Sequence, residues 1–247
     1  MIPFDLSLPA LAWMAVAILV AGFVRGYSGF GYSAIVVASS GLVTNPLDLV
    51  AVVVFLETAM SLQAARGIRK HIDWPRVGYL LGGAVVGLPL GLWALTAISE
   101  NAARAAISIY VLVMCGVLLM GWQLRAMVNG PINLVAGLVS GMANAPGMGG
   151  LPVAAYFAAQ PMPATIFRAT LIAYFPLLDI YATPLYWWSG MISMDTLWLA
   201  LIAMPLTVLG NWLGGMHFLQ TDPKSFRRFA ICLLAGLATL GLIKSVI

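Results

Sequence analysis

The sequence predicts an all-α polytopic membrane protein built from two structural repeats, each a broken or re-entrant helical segment followed by three transmembrane helices. Three observations carry this. The 247 residues are 62% hydrophobic and only 8% charged, with a mean hydropathy of +0.99, whereas soluble domains carry about 25% charge. Apolar stretches of about 20 residues recur along the chain, long enough to cross roughly 30 Å of hydrocarbon. Two long apolar stretches are interrupted by glycine-rich sequence at matching places in the two halves.

In order, the first broken segment covers about Leu8 to Val43, interrupted at Gly22-Phe23-Val24-Arg25-Gly26-Tyr27-Ser28-Gly29-Phe30-Gly31. Met1 to Pro9 contains Asp5 but no Lys or Arg, and a secretory signal needs a basic start, so this stretch is expected to be structural. Spans follow at about Pro46–Ala65, Val77–Ile98 and Ala102–Leu124. A second broken segment, about Pro131 to Ala159, contains Gly137, Gly141, Asn144, Pro146, Gly147, Gly149, Gly150 and Pro152. Its prolines remove N–H donors and clash with the preceding turn. The last three spans are expected at about Ala164–Trp188, Thr196–Leu219 and Phe226–Val246.

Landmarks repeat in order. Gly22-x-x-x-Gly26 matches Gly137-x-x-x-Gly141, Asp73 matches Asp195, Gly87/Gly91 match Gly210/Gly214, and Arg104 matches Arg227. Glu57 then falls opposite Asp179. The repeats are therefore expected at residues 1–129 and 130–247. The small-residue pairs at Gly87/Gly91 and Gly210/Gly214 are read as helix-packing positions.

Charge sets the expected topology. Arg66, Arg69, Lys70 and Arg76 form the strongest basic connection, and Lys224, Arg227 and Arg228 form another. Basic loops favour the cytoplasm. Both face it only if residues 131–159 enter and return as a hairpin, or cross twice. That arrangement makes the halves inverted repeats; the alternative is eight spans in a parallel duplication. The net charge of +4 sits in these connections and gives no nucleic-acid signal.

Broken helices at bilayer depth survive only inside protein or beside a water-filled cavity, and matched breaks point to a transporter's binding site. Ionisable residues inside the apolar elements are few: Arg25, Glu57, Arg168 and Asp179. Arg25, beside N–H groups freed by the break, is a candidate for bidentate oxyanion binding; the competing roles are snorkelling or pairing with Glu57. Arg168, near the start of its span, fits snorkelling or the substrate site. Glu57 and Asp179 are candidates for carrying a coupling proton, or for ion pairs with the two arginines. Gly26, Ser28, Gly29, Gly31, Ser33, Asn144, Gly147, Gly149 and Gly150 complete the candidate substrate site through backbone or side-chain donors.

Enzyme chemistry lacks its parts. There is no H-E-x-x-H, no G-x-S-x-G and no mid-membrane His to activate a Ser. Cys115, Cys232, His71 and His217 lack metal-ligand spacing, so neither metal nor cofactor is expected.

Gly22-Phe23-Val24-Arg25-Gly26 with Gly29-Phe30-Gly31, then Asn45-Pro46 opening the next span, resembles the TauE/SafE family, also called TSUP. Gly147-Met148-Gly149-Gly150-Leu151-Pro152 is similar to its second-half counterpart. The resemblance spans essentially the whole chain. It implies a secondary transporter of small sulfur oxyanions or organosulfonates in a bacterial inner membrane, with direction left open; the alternatives are a carrier of another small anion such as a carboxylate, or a non-transporting membrane subunit. The expected partners are a small anion and the lipid bilayer; a homodimer is left open. The halves differ: Ser140 stands opposite Arg25, and the second break is longer by about four residues. This points to an asymmetric site with one guanidinium at the breaks.

Overall fold

The computed structural model describes residues 7–64, 69–128 and 130–217, with Ala235, Gly236, Thr239 and Ile243 beyond them. The described residues form nine α-helices and no strand: α1 (Leu8–Ser28), α2 (Tyr32–Ser40), α3 (Val50–Ala64), α4 (Trp74–Thr96), α5 (Glu100–Met120), α6 (Pro131–Asn144), α7 (Gly150–Ala158), α8 (Ala164–Trp188) and α9 (Met194–His217). A 3₁₀ turn at Pro46–Leu49 leads into α3, and another occupies Arg69–His71. Six segments are long and apolar enough to cross a bilayer: α1, the turn with α3, α4, α5, α8 and α9. The span expected at Phe226–Val246 and Cys232 lie outside the described residues, apart from the four isolated positions above.

Local sequence explains the helix ends. Ser7 caps α1, with its hydroxyl accepting from Ala10 N–H. Asn45 caps the turn before α3 through Leu47 N–H, and Ser99 caps α5 through Ala102 N–H. Such caps satisfy N–H groups that have no partner within the helix. Asp73 caps α4 by accepting from Arg76 N–H at 3.2 Å. Arg76, expected in the basic connection, is therefore inside α4 and only 2% exposed. Its guanidinium donates to Val128 O and lies 5.7 Å from the Phe157 ring centroid.

Both broken segments are helical hairpins. In the first, α1 and α2 are joined by Gly29-Phe30-Gly31, where Gly29 and Gly31 have φ of 84° and 94°. These left-handed values cost a side chain about 1–2 kcal/mol. The open end is tied where Trp13 Nε1 donates to Ser39 O at 3.2 Å. In the second, α6 and α7 are joined by residues 145–149. Its open end is closed by Tyr156 Oη donating to Asn133 Oδ1 at 2.9 Å, by Leu124 N–H on Ala159 O at 2.6 Å, and by Val128 N–H on Gln160 Oε1 at 2.9 Å. Residues 131–159 thus go in and come back. Unequal limbs separate the hairpins: α1 has 21 residues, about 31 Å, whereas α6 has 14, about 21 Å.

Glycines set the tightest helix pairs. A Cβ at Gly26 would strike Asn211 O, and one at Gly214 would strike Phe23 O. A Cβ at Gly137 would strike Leu80 O, and one at Gly87 would strike Leu138 O. α1 therefore lies against α9, and α6 against α4, with backbones touching. In both pairs the contact numbers rise together along the two helices, so the partners run parallel.

Each of these pairs joins a hairpin to a span from the other half of the sequence. α3 and α8 pack on each other between the pairs. The tip of the first hairpin lies beside Arg168, near the start of α8. At the tip of the second, Asn144 O accepts from Tyr186 Oη, near the end of α8.

Candidate functional site

Ionic side chains converge beside the first hairpin tip. Arg25, three residues before the end of α1, is 4% exposed. Its Nη1 donates to Glu57 Oε1 of α3 at 2.5 Å, and its Nη2 donates to Ser61 Oγ at 2.7 Å. Glu57 and Ser61 stand four apart and so share one face of α3. The guanidinium also lies 5.6 Å from the Phe175 ring centroid of α8, a cation–π distance. Ser33, the second residue of α2, stands next to the Glu57 carboxylate. An internal carboxylate thus occupies the N-terminal turn of α2, where an anion is favoured.

A pocket opens on this cluster, lined by Arg25, Gly29, Ser61, Arg168 and Asn211 with apolar Met60, Ala64 and Ile172. Arg168, half-buried, donates from Nη2 to Gly26 O at 3.2 Å, and its side chain passes Gly29. It belongs to the first break, where the sequence had also allowed an interfacial, snorkelling residue. The Asn211 amide donates to Gln63 Oε1 at 2.7 Å, while Arg25, Arg168 and Ser61 line one small space. Such a donor set accepts an oxyanion through charge-assisted hydrogen bonds.

Among the other expected donors, Ser28 is spent on the turn: its hydroxyl donates within reach of Val24 O and Phe30 O, both at 2.8 Å. Gly26 supplies close packing and a carbonyl acceptor; Gly29 and Gly31 supply the turn. Asp179 of α8 is 2% exposed. Thr58 Oγ1 donates to its Oδ2 at 3.4 Å, which places it beside Glu57 across the α3–α8 contact. The described residues show no ion pair to Asp179.

The second break is neutral. Tyr174 Oη donates to Ser140 Oγ at 2.9 Å, and Ser140 Oγ donates to Gly149 O at 2.7 Å. Gly147, at φ 76°, lies against Val37 and Val50, and Gly150 faces the Phe175 ring. Asn144 is 6% exposed, and its amide nitrogen has no hydrogen-bond partner among the described residues. Arg168 and Tyr186, which touch the two breaks, stand eighteen residues apart on α8, about 27 Å. The structure therefore gathers Arg25, Gly26, Gly29, Ser33, Glu57 and Arg168; Gly150 of the second break packs on the Phe175 ring that also faces Arg25, and Asn144 lies beside Tyr186 toward the other end of α8.

Ser61, Asn211 and Phe175 were absent from the sequence-derived site. Ser61 was accessible to helical spacing from Glu57. No signal marks Phe175 within an apolar span, and Asn211 enters only through the α1–α9 packing.

The family model described as "Sulfite exporter TauE/SafE" matches residues 14–240. The chain belongs to the TauE/SafE family. A TauE/SafE relative from Cupriavidus necator, a "Probable sulfite/organosulfonate exporter TauE", is 31% identical over 94% of this chain and 93% of its own length. No solved structure matches. Family membership and the six candidate spans make this TauE/SafE chain a multi-pass membrane protein of a transport family.

Proposed function

We propose that this protein is a secondary transporter of small sulfur oxyanions or organosulfonates in a bacterial inner membrane, working by alternating access. The observation that carries the reading is the pocket where Arg25 and Arg168 meet beside the first hairpin tip. The printed role of the Cupriavidus necator relative supplies the sulfur anion. A sulfonate or sulfite presents several oxygens to the guanidiniums, with Ser61 as a neutral donor.

In this reading residues 1–129 and 130–247 are inverted repeats. Two features support it: the exchanged helix pairs, and two hairpins that open toward opposite ends of α8. The positive-inside rule puts Arg69 and Lys70, the open end of the second hairpin and the anion pocket near the cytoplasmic face. Asn144, Gly147 and Gly149 then line the farther part of the route, with Gly150 against the Phe175 ring beside Arg25, so the anion meets the two breaks in succession. Glu57 and Asp179 are the two candidates for the coupling proton; Asp179, ionised, would be a buried charge without an ion pair, a cost that protonation removes.

The test is sulfite and sulfoacetate flux into proteoliposomes holding the purified protein. Saturable flux is expected in the wild type, with loss in Arg25→Ala and partial retention in Arg25→Lys, each checked for folding by size-exclusion profile. Wild-type flux of carboxylates but not sulfonates would replace the substrate class. Undiminished flux in folded Arg25→Ala would remove the pocket from the route.

A further inference from the structure

The cradle around Arg25 already holds an anion, and that anion belongs to the protein. Glu57 receives a guanidinium N–H at 2.5 Å, and Ser33 in the first turn of α2 stands beside its carboxylate. Guanidinium, hydroxyl and helix N-terminal amide are the donors an oxyanion would use. Arg25 also lines the pocket shared with Gly29, Ser61 and Arg168. One guanidinium therefore stands between an internal carboxylate and a water-sized pocket that has to widen to admit an external anion.

We propose that Glu57 is an internal competitor for the transported anion: the anion binds Arg25 when Glu57 is protonated and leaves when Glu57 ionises, so each anion is bound with one proton. The inference rests on the anion pocket proposed above. With Glu57 ionised and an anion in the pocket, Arg25 would be shared between two negative charges in a water-poor site, with Asp179 close by. Repulsion between like charges is large at low effective dielectric. A proton from solvent on a Glu57 oxygen removes one of these charges, and Arg25 is then free to turn its paired N–H groups to the substrate. On release, the same O–H bond breaks and the proton returns to water.

The groups facing Glu57 are few enough to test. Arg25 comes from α1, Tyr32 and Ser33 from α2, and Asp179 and Tyr186 from α8. On its own helix stand Thr58 and Ser61, and Asp48 lies in the turn that starts α3. α9 brings no Asp, Glu, Lys or Arg between Thr196 and Met216. Asp179 is therefore the main rival for the proton, and a variant must separate the two.

The experiment is sulfoacetate binding to the purified full-length protein in weak buffer, with proton uptake followed by a pH dye. It is repeated across about pH 6 to 9, where the probe's own charge is constant. About one proton per anion is expected in the wild type. Affinity should fall about tenfold per pH unit above the Glu57 titration, because protonation favours binding. Glu57→Gln should bind with no proton uptake and a flat pH profile, and Asp179→Asn should keep the uptake. Wild-type binding without uptake overturns the inference even if Glu57→Gln fails to fold. Uptake that survives in Glu57→Gln, or disappears only in Asp179→Asn, also overturns it. Wild-type protein that binds no sulfoacetate or sulfite at any pH overturns the pocket assignment first, and this inference with it.

Discussion

The two hairpins share a scaffold and differ in chemistry. Both carry a Gly-x-x-x-Gly stripe on the first limb, and both press it against the backbone of a span from the other half. Three residues after the first glycine of each stripe stand Arg25 and Ser140. Arg25 anchors an ionic cluster with Glu57 and Ser61, whereas Ser140 relays a neutral chain from Tyr174 to Gly149. The joints differ too: three residues with two left-handed glycines in the first, five with Gly147 alone in the second. Backbone packing is thus repeated with little change, while one side chain per hairpin sets the polar contacts around it.

Moving the charge tests that contrast most severely. Combining Arg25→Ala with Ser140→Arg should leave flux reduced at least about a hundredfold, because Glu57 loses its cation, at a cost of about 3–5 kcal/mol, and buried Ser140 offers no anion cradle. Rescue by the transplanted arginine would show that the hairpins are interchangeable. The scaffold should instead respond equally in both halves. Gly26→Val and Gly137→Val each drive a branched side chain into a carbonyl oxygen, and each should destabilise by about 3 kcal/mol or more, read as lost monodisperse protein and lowered Tm.

Smaller effects separate the chemistries. Tyr174→Phe and Tyr186→Phe remove hydrogen bonds at the second hairpin and should cost about 1–2 kcal/mol of stability, with KM for the anion within about twofold. Ser61→Ala removes the hydroxyl that accepts from Arg25 Nη2 and should raise KM about fivefold, a change of about 1 kcal/mol, with a stability loss of about 1–2 kcal/mol beside it. Equal KM shifts at Ser61 and Tyr174 would erase the distinction between an ionic and a neutral end.

Much of the architecture was legible because it is written in local signals. The expected span Ala164–Trp188 coincides with α8, since Pro163 precedes it and the polar run from Ser189 follows it. The hairpin at 131–159 followed from basic-loop placement. Arg76 was misplaced although its signal was present: Asp73 and Pro75 form a helix start, which puts Arg76 inside the first turn. The length of α1 was harder, because glycine at positions 22 and 26 reads as a break when it is a packing stripe; the turn comes later, at Gly29.

The site was legible in its charges and opaque in its contacts. Arg25, Glu57, Arg168 and Asp179 stand out because ionisable residues are rare in apolar spans. That Arg168 reaches Gly26, 142 residues away, depends on how α8 crosses the first hairpin, which no local pattern records.

The exchanged helix pairs also carry an ancestral consequence. α1 finds its closest partner in α9, and α6 finds its closest partner in α4, so neither half of the chain contains the surface its own hairpin clasps. A polypeptide comprising one half alone would meet that surface only on a second copy, which on the proposed inverted-repeat reading is inserted upside down in the same membrane. On that reading, gene duplication and fusion fixed in one chain the opposed orientations that a half-length ancestor reached by inserting both ways.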